Sequence, residues 1–296
     1  MRRKCNPSWL VMLWLLTLLP LPAMANRVAA YYADIDVAAW QIDNSVFECR
    51  MSQRIPHLGE AVFYHRAGEP LQFFLQTAAN PMDEGRALLT SLPPLWRGEL
   101  NGRDLGYVDV VRSEQPVLLD NARSRQLMAE LGRGMVPTFM RRAWYDAEEA
   151  IHVGLSPVSF VQAQQHYADC VANLLPVNFD QIERSTVFWQ PLQTALDNEQ
   201  QQQLDMIILY LHADPAVHAL DINSFTDSSG NPRENLELSR LRAFAVQDYL
   251  IDNGIPLEQM TTRFFGSTPE YRIIRDERSA TDRDRNRRVT LRLHRR

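Results

Sequence analysis

Residues 217–254 read VHALDINSFTDSSGNPRENLELSRLRAFAVQDYLIDNG. Val217 to Phe225 is an apolar-rich run of strand length. Ser228-Ser229-Gly230-Asn231-Pro232 is a polar loop carrying both strong punctuators, glycine and proline. Glu234 to Asn253 has the length of a long helix, and Gly254 supplies its C-terminal stop. A strand, a tight loop and a helix follow one another here. That order sets the class of everything around it.

Working outward, Val177 to Phe179 and Thr186 to Trp189 read as short strands. Asn198 is the expected cap of a helix with a stripe at Leu204, Ile207, Ile208 and Leu211, and Asp214-Pro215 ends it. Thr261 to Phe265 and Val289 to Leu293 read as strands. The alternation predicts an α+β sandwich over residues 176–296, with helices on one face of a mixed sheet.

Upstream the period changes. Phe47, Cys49 and Met51 alternate with polar residues. Ala61 to Arg66 and Leu71 to Thr77 are strand-like runs joined by the turn Ala67-Gly68-Glu69-Pro70. Tyr107 to Val111 and Ile151 to Leu155 add two more. Asp120 is placed to cap a helix from Ala122 to Leu131, stopped by Gly132 and Gly134. Ser156 and Pro157 are placed to open a second helix, with Phe160, Gln164, Tyr167, Val171 and Leu174 at helical spacing. Residues 26–175 are therefore expected to be a mainly β domain, barrel- or sandwich-like with one or two helices. The boundary is expected near Leu175 to Val177.

The chain begins with Arg2, Arg3 and Lys4, an apolar run from Trp9 to Leu19, and Ala23-Met24-Ala25. This is the pattern of an export signal over residues 1–25, cleaved after Ala25. The run is shorter than the roughly 20 residues that span a bilayer. Cys5 precedes it, which is the wrong place for lipidation. Loss of the three leader cations takes the net charge from −5 to −8. Such an acidic chain is a poor partner for nucleic acid. Two cysteines then remain, Cys49 and Cys170. An even count in an exported chain argues for one disulfide, with two free thiols as the alternative. The second helix would carry Cys170 back to the strand holding Cys49.

The chemistry concentrates at Thr226-Asp227, Asn235 and Arg242. A strand ends at Asp227, and Arg242 follows fifteen residues later on the helix. Folding that helix back brings a carboxylate and a guanidinium to one pocket beside the free N–H groups of a helix start. An acid and a cation together suit a zwitterion. On spacing alone the pair reads rather as an internal salt bridge, and the fuller motif turns the reading toward a ligand. The basic cluster around Arg287 and Arg288 is interrupted by Asp282 and Asp284, and reads as ion pairing that secures the last strand, with ligand contact as the alternative.

Thr226-Asp227, Gly230, Asn235, Leu238-Ser239, Arg242-Ala243, Tyr249-Leu250, Gly254, Gly266 and Asn286-Arg287-Arg288-Val289 together resemble the OmpA-like peptidoglycan-binding domain. That resemblance implies that Asp227 and Arg242 hold the diaminopimelate of the cell-wall stem peptide. Thr226 and Asn235 join them as site residues, and Arg287 and Arg288 are possible accessories. Ser224-Phe225 stands where the family often has Gly-His.

The first domain resembles the MotY family of periplasmic flagellar motor proteins. The resemblance rests on Cys49, Ile55-Pro56-x-x-Gly59-x-Ala61-Val62-Phe63, Leu92-Pro93-Pro94-x-Trp96-Arg97, Pro137-Thr138-Phe139, Trp144 and Asp169-Cys170-x-x-Asn173-Leu174-Leu175. It implies a disulfide between Cys49 and Cys170. It also implies a periplasmic ring at the flagellar basal body, where a MotX-like protein is a partner and stator units are held beside the rotor. Trp96, Phe139 and Trp144 are expected in the core. An outer-membrane β-barrel carrying a wall-binding domain is the alternative architecture. No Gly-x-Ser-x-Gly, His-Glu-x-x-His or histidine–cysteine ligand spacing occurs, so no enzyme, cofactor or metal site is expected.

Overall fold

The computed structural model describes residues 27–94, 96–99 and 101–296. The expected export signal and its cleavage site lie outside the described residues.

Ten strands and two helices come first. They are β1 (Arg27–Tyr31), β2 (Trp40–Asn44), β3 (Glu48–Ile55), β4 (Gly59–Arg66), β5 (Gln72–Thr77), β6 (Gly85–Leu92), β7 (Arg103–Val110) and β8 (Val117–Leu119). Then follow α1 (Asn121–Gly132), β9 (Val136–Arg142), β10 (Glu149–Gly154) and α2 (Phe160–Ala172). They form two five-stranded sheets, ordered β1-β10-β9-β6-β7 and β2-β3-β4-β5-β8. All pairings are antiparallel except β1 with β10. Phe73 of one sheet stacks on Phe139 of the other at 5.9 Å, and Phe63 and Trp40 close on Phe160 of α2. Four of these five rings are fully buried and Trp40 nearly so. Each contributes about 1.5–3 kcal/mol of burial. The apolar residues thus meet inside a two-sheet sandwich. A transmembrane barrel instead turns its apolar band outward.

The Cys49–Cys170 disulfide joins β3 to α2, with Cα atoms 6.0 Å apart. Its place within the first core matches the pairing implied by the resemblance.

The remaining elements are α3 (Phe179–Ile182), β11 (Arg184–Phe188), α4 (Asn198–Ala213), β12 (Val217–Phe225), α5 (Pro232–Asp252), β13 (Met260–Phe264), α6 (Ala280–Asn286) and β14 (Arg288–Arg295). The sheet order is β11-β14-β12-β13, with β12 and β13 parallel. Leu204 and Ile207 of α4 and Val246 and Leu250 of α5 pack with Leu220, Ile222, Val289 and Leu291 of the sheet. This is the mixed-sheet α+β arrangement that the alternation predicts.

Four local expectations are corrected. Ser156 does not cap α2: its backbone is held by Gln53 and Trp40, and the helix opens after Ser159 at φ +60°. Val177–Phe179 is not a strand, because Asn178 and Gln181 form a reciprocal capping box that starts α3. The cap of α4 is Asp197, one residue earlier than expected. Phe139 is in the core, but Trp96 and Trp144 are 57% and 61% exposed.

The two cores touch through two hairpin tips. Ala67, fully buried, belongs to the second core. Leu175 N–H donates to Val46 O at 2.9 Å, Asn178 Nδ2 to Ala67 O at 3.0 Å and Gln181 Nε2 to Gly68 O at 3.0 Å. Arg66 pairs with Asp180 at 2.7 Å, and Phe47 packs on Tyr210 at 5.5 Å.

Candidate functional site

At the end of β12 the chain is pinned before it turns. Thr226 N–H donates to Gly266 O at 2.9 Å. Gly266 itself has φ +56°, and a Cβ there would lie 3.0 Å from the backbone of Leu236, so glycine lets α5 approach. Ser229 then folds back onto Asp227, its N–H donating to Oδ1 at 3.0 Å and its hydroxyl donating to the same oxygen. Asn231 caps α5 through Arg233 N–H, and Pro232 opens the helix. Asn235 Nδ2 donates to Ser229 O at 2.8 Å, tying the loop to the helix.

Asp227 is nearly buried, and its cation is Arg287, not Arg242. Arg287 Nη1 donates to Asp227 Oδ2 at 2.6 Å. Burial acts to raise the Asp227 carboxyl, but hydrogen bonds from Ser229 and Arg287 outweigh it and hold the group below its ordinary range. Arg287 is fixed further by Asp284 and by Trp189 O at 3.1 Å. Arg288 lies apart. It covers the Phe225 ring at 4.1 Å and donates to Tyr271 O at 2.7 Å, which secures the last strand.

Arg242 is fully buried behind the segment that follows β11. Nε donates to Gln193 O and Nη2 to Gln190 O, both at 2.8 Å, and the guanidinium lies 5.4 Å from the Trp189 ring. Nη1 is buried with no partner. Burial, then the neighbouring Arg287 charge, pulls this arginine down to about 10. An arginine so perturbed has an unmet demand for an anion.

A cleft of about 460 Å³ opens above these groups. Its polar side is Thr226, Asp227, Ser229, Glu234, Asn235, Glu237 and Arg287, with Glu237 paired to Arg240 at 2.6 Å. Its apolar side is Pro191, Leu192, Leu238 and Leu241. Thr226 Oγ1 is buried without a partner. Leu192 is 85% exposed at φ +61°, a strained leucine at the rim. Of the expected site residues, the cleft therefore gathers Thr226, Asp227, Asn235 and Arg287. Arg242 lies behind its wall, and Arg288 is not among its lining residues. A larger recess of about 520 Å³ lies across the Gln190 segment, but Asp197 and Gln200 there are used in capping α4 and Asp284 in holding Arg287. Sequence reasoning missed the Asp227–Arg287 pair and the Gln190 and Gln193 carbonyls. Backbone acceptors leave no trace in residue identity.

Residues 31–176 match the family model described as MotY N-terminal domain, and residues 188–287 match that of the OmpA family. The chain is a MotY N-terminal domain joined to an OmpA-family domain. Over 289 residues it is 29% identical to the sodium-type flagellar protein MotY of Vibrio parahaemolyticus serotype O3:K6 (strain RIMD 2210633), covering 96% of each chain. It is 41% identical over 69 residues to outer membrane protein A of Yersinia pseudotuberculosis serotype I (strain IP32953), covering 23% of this chain and 20% of that protein. The chain thus spans about a fifth of that relative's length. Among solved structures, the C-terminal domain of Helicobacter pylori MotB (residues 125–256) is similar, at 22% identity, TM-score 0.34, and 37% and 84% of the two chains. The peptidoglycan-associated lipoprotein of Burkholderia pseudomallei is similar at 26% identity and TM-score 0.34, covering 37% and 89%. The site residues of the OmpA-family domain all fall inside its matched range, and the disulfide falls inside the MotY N-terminal domain. Among the described residues no helix is long and apolar enough to cross a membrane.

Proposed function

We infer that this protein is a non-catalytic periplasmic component of the flagellar motor that anchors to peptidoglycan. The cleft at Asp227 takes the zwitterionic end of diaminopimelate. The observation that carries this reading is the pair of unmet polar groups, Thr226 Oγ1 and Arg242 Nη1, beside a carboxylate held ionised. Asp227 accepts the ligand's ammonium, sharing its charge with Arg287. The ligand carboxylate reaches Arg242 Nη1 where the Gln190–Gln193 segment gives way, and the gain is a charge-assisted hydrogen bond. Thr226 supplies a hydroxyl to the same ligand. Asn235 shapes the loop, and Arg287 positions Asp227. The apolar wall of Pro191, Leu192, Leu238 and Leu241 suits the methylene chain between the two ends.

The division of labour follows the two matched domains. Residues 26–175 dock to the basal body with a MotX-like partner, and residues 176–296 grip the wall. Together they help hold stator units beside the rotor. Two linked contacts raise effective concentration, so each can be weak alone. The test is co-sedimentation of the mature protein with purified peptidoglycan, for wild type, Asp227→Ala and Arg242→Ala, each checked for folding by circular dichroism. Binding by wild type and its loss in both variants is expected. Equal binding by all three would make the charged groups structural and the reading wrong.

A further inference from the structure

The first domain carries a second built recess at the pole away from the wall-binding domain. Strand β4 runs from Gly59, which pairs with Thr77, to Arg66, which pairs with Asp180 of the second domain. Its 8 residues place these two ends roughly 25 Å apart. At the Thr77 end, the turns after β5, β7 and β9 converge around a groove of about 450 Å³.

Trp144 walls this groove and is 61% exposed, yet its ring is fixed. Nε1 donates to Asn80 O at 3.1 Å, its backbone N–H donates to Pro81 O at 3.2 Å, and Tyr145 packs against it edge-on at 5.4 Å. An exposed tryptophan held in one orientation has little entropy left to lose on binding. Two acids and one cation line the groove, Glu84, Glu114 and Arg112, and Glu84 lies 3.9 Å from Arg112. Asp83 nearby pairs with Arg141 and Arg142. Glu114 makes no ion pair among the described residues. A preset indole face and an uncommitted carboxylate in one groove form a receptor for a cation. Ring face and carboxylate attract the same guanidinium or ammonium.

We propose that this groove is a protein-docking site that receives an arginine or lysine side chain, flanked by apolar residues, from an extended segment of a partner protein. It deepens the docking half of the reading above. Its test involves no peptidoglycan, so a failure here is separate from a failure of the wall-binding cleft.

The experiment is a titration of the ¹⁵N-labelled mature protein with the tripeptide acetyl-Leu-Arg-Leu-amide, following the Trp144 indole N–H, assigned with Trp144→Phe. The control peptide carries citrulline, which keeps the shape and removes the charge. A saturable shift at Trp144 and at neighbouring Ala79 and Ser113 amides is expected. The citrulline peptide should bind about tenfold more weakly, and Glu114→Gln should weaken the arginine peptide about two- to fivefold. Glu114 is exposed, so this variant retains the fold. A shift that never saturates, or equal affinity for the citrulline peptide, overturns the proposal. So does a concentration-dependent dimer in sedimentation velocity that Trp144→Ala abolishes, because the occupant is then a second copy of this chain.

Discussion

Replacing Cys49 and Cys170 together by alanine should destabilise the first domain without unfolding it. The crosslink spans 121 residues. Closing a loop of that length in the unfolded chain removes entropy equivalent to about 5 kcal/mol of native stability. For a domain of this size, that corresponds to a fall in melting temperature of about 10–20 °C. The folded contacts that remain are substantial. Phe160 and Tyr167 keep α2 seated on the first core, and β3 retains eight register pairs with β4. The double variant avoids leaving one unpaired thiol in the core. Differential scanning calorimetry of both proteins measures the effect, and the transition of the first core should fall further than that of the second. A variant melting within about 3 °C of the parent would refute the reasoning, because the crosslink would then add almost nothing beyond packing that survives its removal.

Three further outcomes are expected. Arg287→Ala should lower stability by about 3 kcal/mol in urea denaturation, because Asp227 loses its cation while nearly buried, and the double change Asp227→Ala/Arg287→Ala should recover part of that loss. Wall binding should be flat from neutral pH to about pH 5 and fall only below the ordinary carboxyl value of 3.8, since Asp227 is held lower than that and its charge is lost as pH drops through the folded value; co-sedimentation across pH measures this. Gly68→Val should loosen the contact between the two cores, because φ is +70° there and a Cβ would lie 2.2 Å from Gln181 Oε1 and 3.0 Å from Pro176 O; cleavage by a protease near residues 173–178 should accelerate while each core keeps its own transition.

The sequence was most legible where one signal dominated. Strand β12 has the bounds that its apolar run indicates, and α1 starts at the cap that Asp120 announces. It misled where side chains far apart in the chain compete for the same backbone. Gln53 and Trp40, more than a hundred residues upstream, occupy Ser156 and delay α2. At Asn178, a capping box outweighs a short apolar alternation. Helix α6 is too short and too polar to show a period, so nothing in Ala280–Asn286 announces a helix and its charges read only as an interruption of the basic cluster. Trp96 and Trp144 show the limit of residue type, because a tryptophan is equally at home in a core or at a docking surface. In the site, the spacing of Asp227 and Arg242 was readable and their environment was not. The acid is paired by an arginine sixty residues downstream, and the guanidinium is held by two carbonyls of a loop.

The most direct measurement of the central claim is isothermal titration of the mature protein with a stem tripeptide ending in meso-diaminopimelate and, separately, with the same tripeptide ending in lysine. The peptide bond occupies the α-amino group in both, so the lysine peptide keeps the side-chain ammonium and lacks the carboxylate beside it. Binding of the diaminopimelate peptide, at least about tenfold weaker binding of the lysine peptide, and loss of diaminopimelate-peptide binding in both Asp227→Ala and Arg242→Ala are the expected results, tenfold being about 1.4 kcal/mol and so within reach of one lost charge-assisted hydrogen bond. Equal affinity for the two peptides would contradict the account, because Arg242 would then contribute nothing to recognition and the cleft at Asp227 would be a general ammonium site.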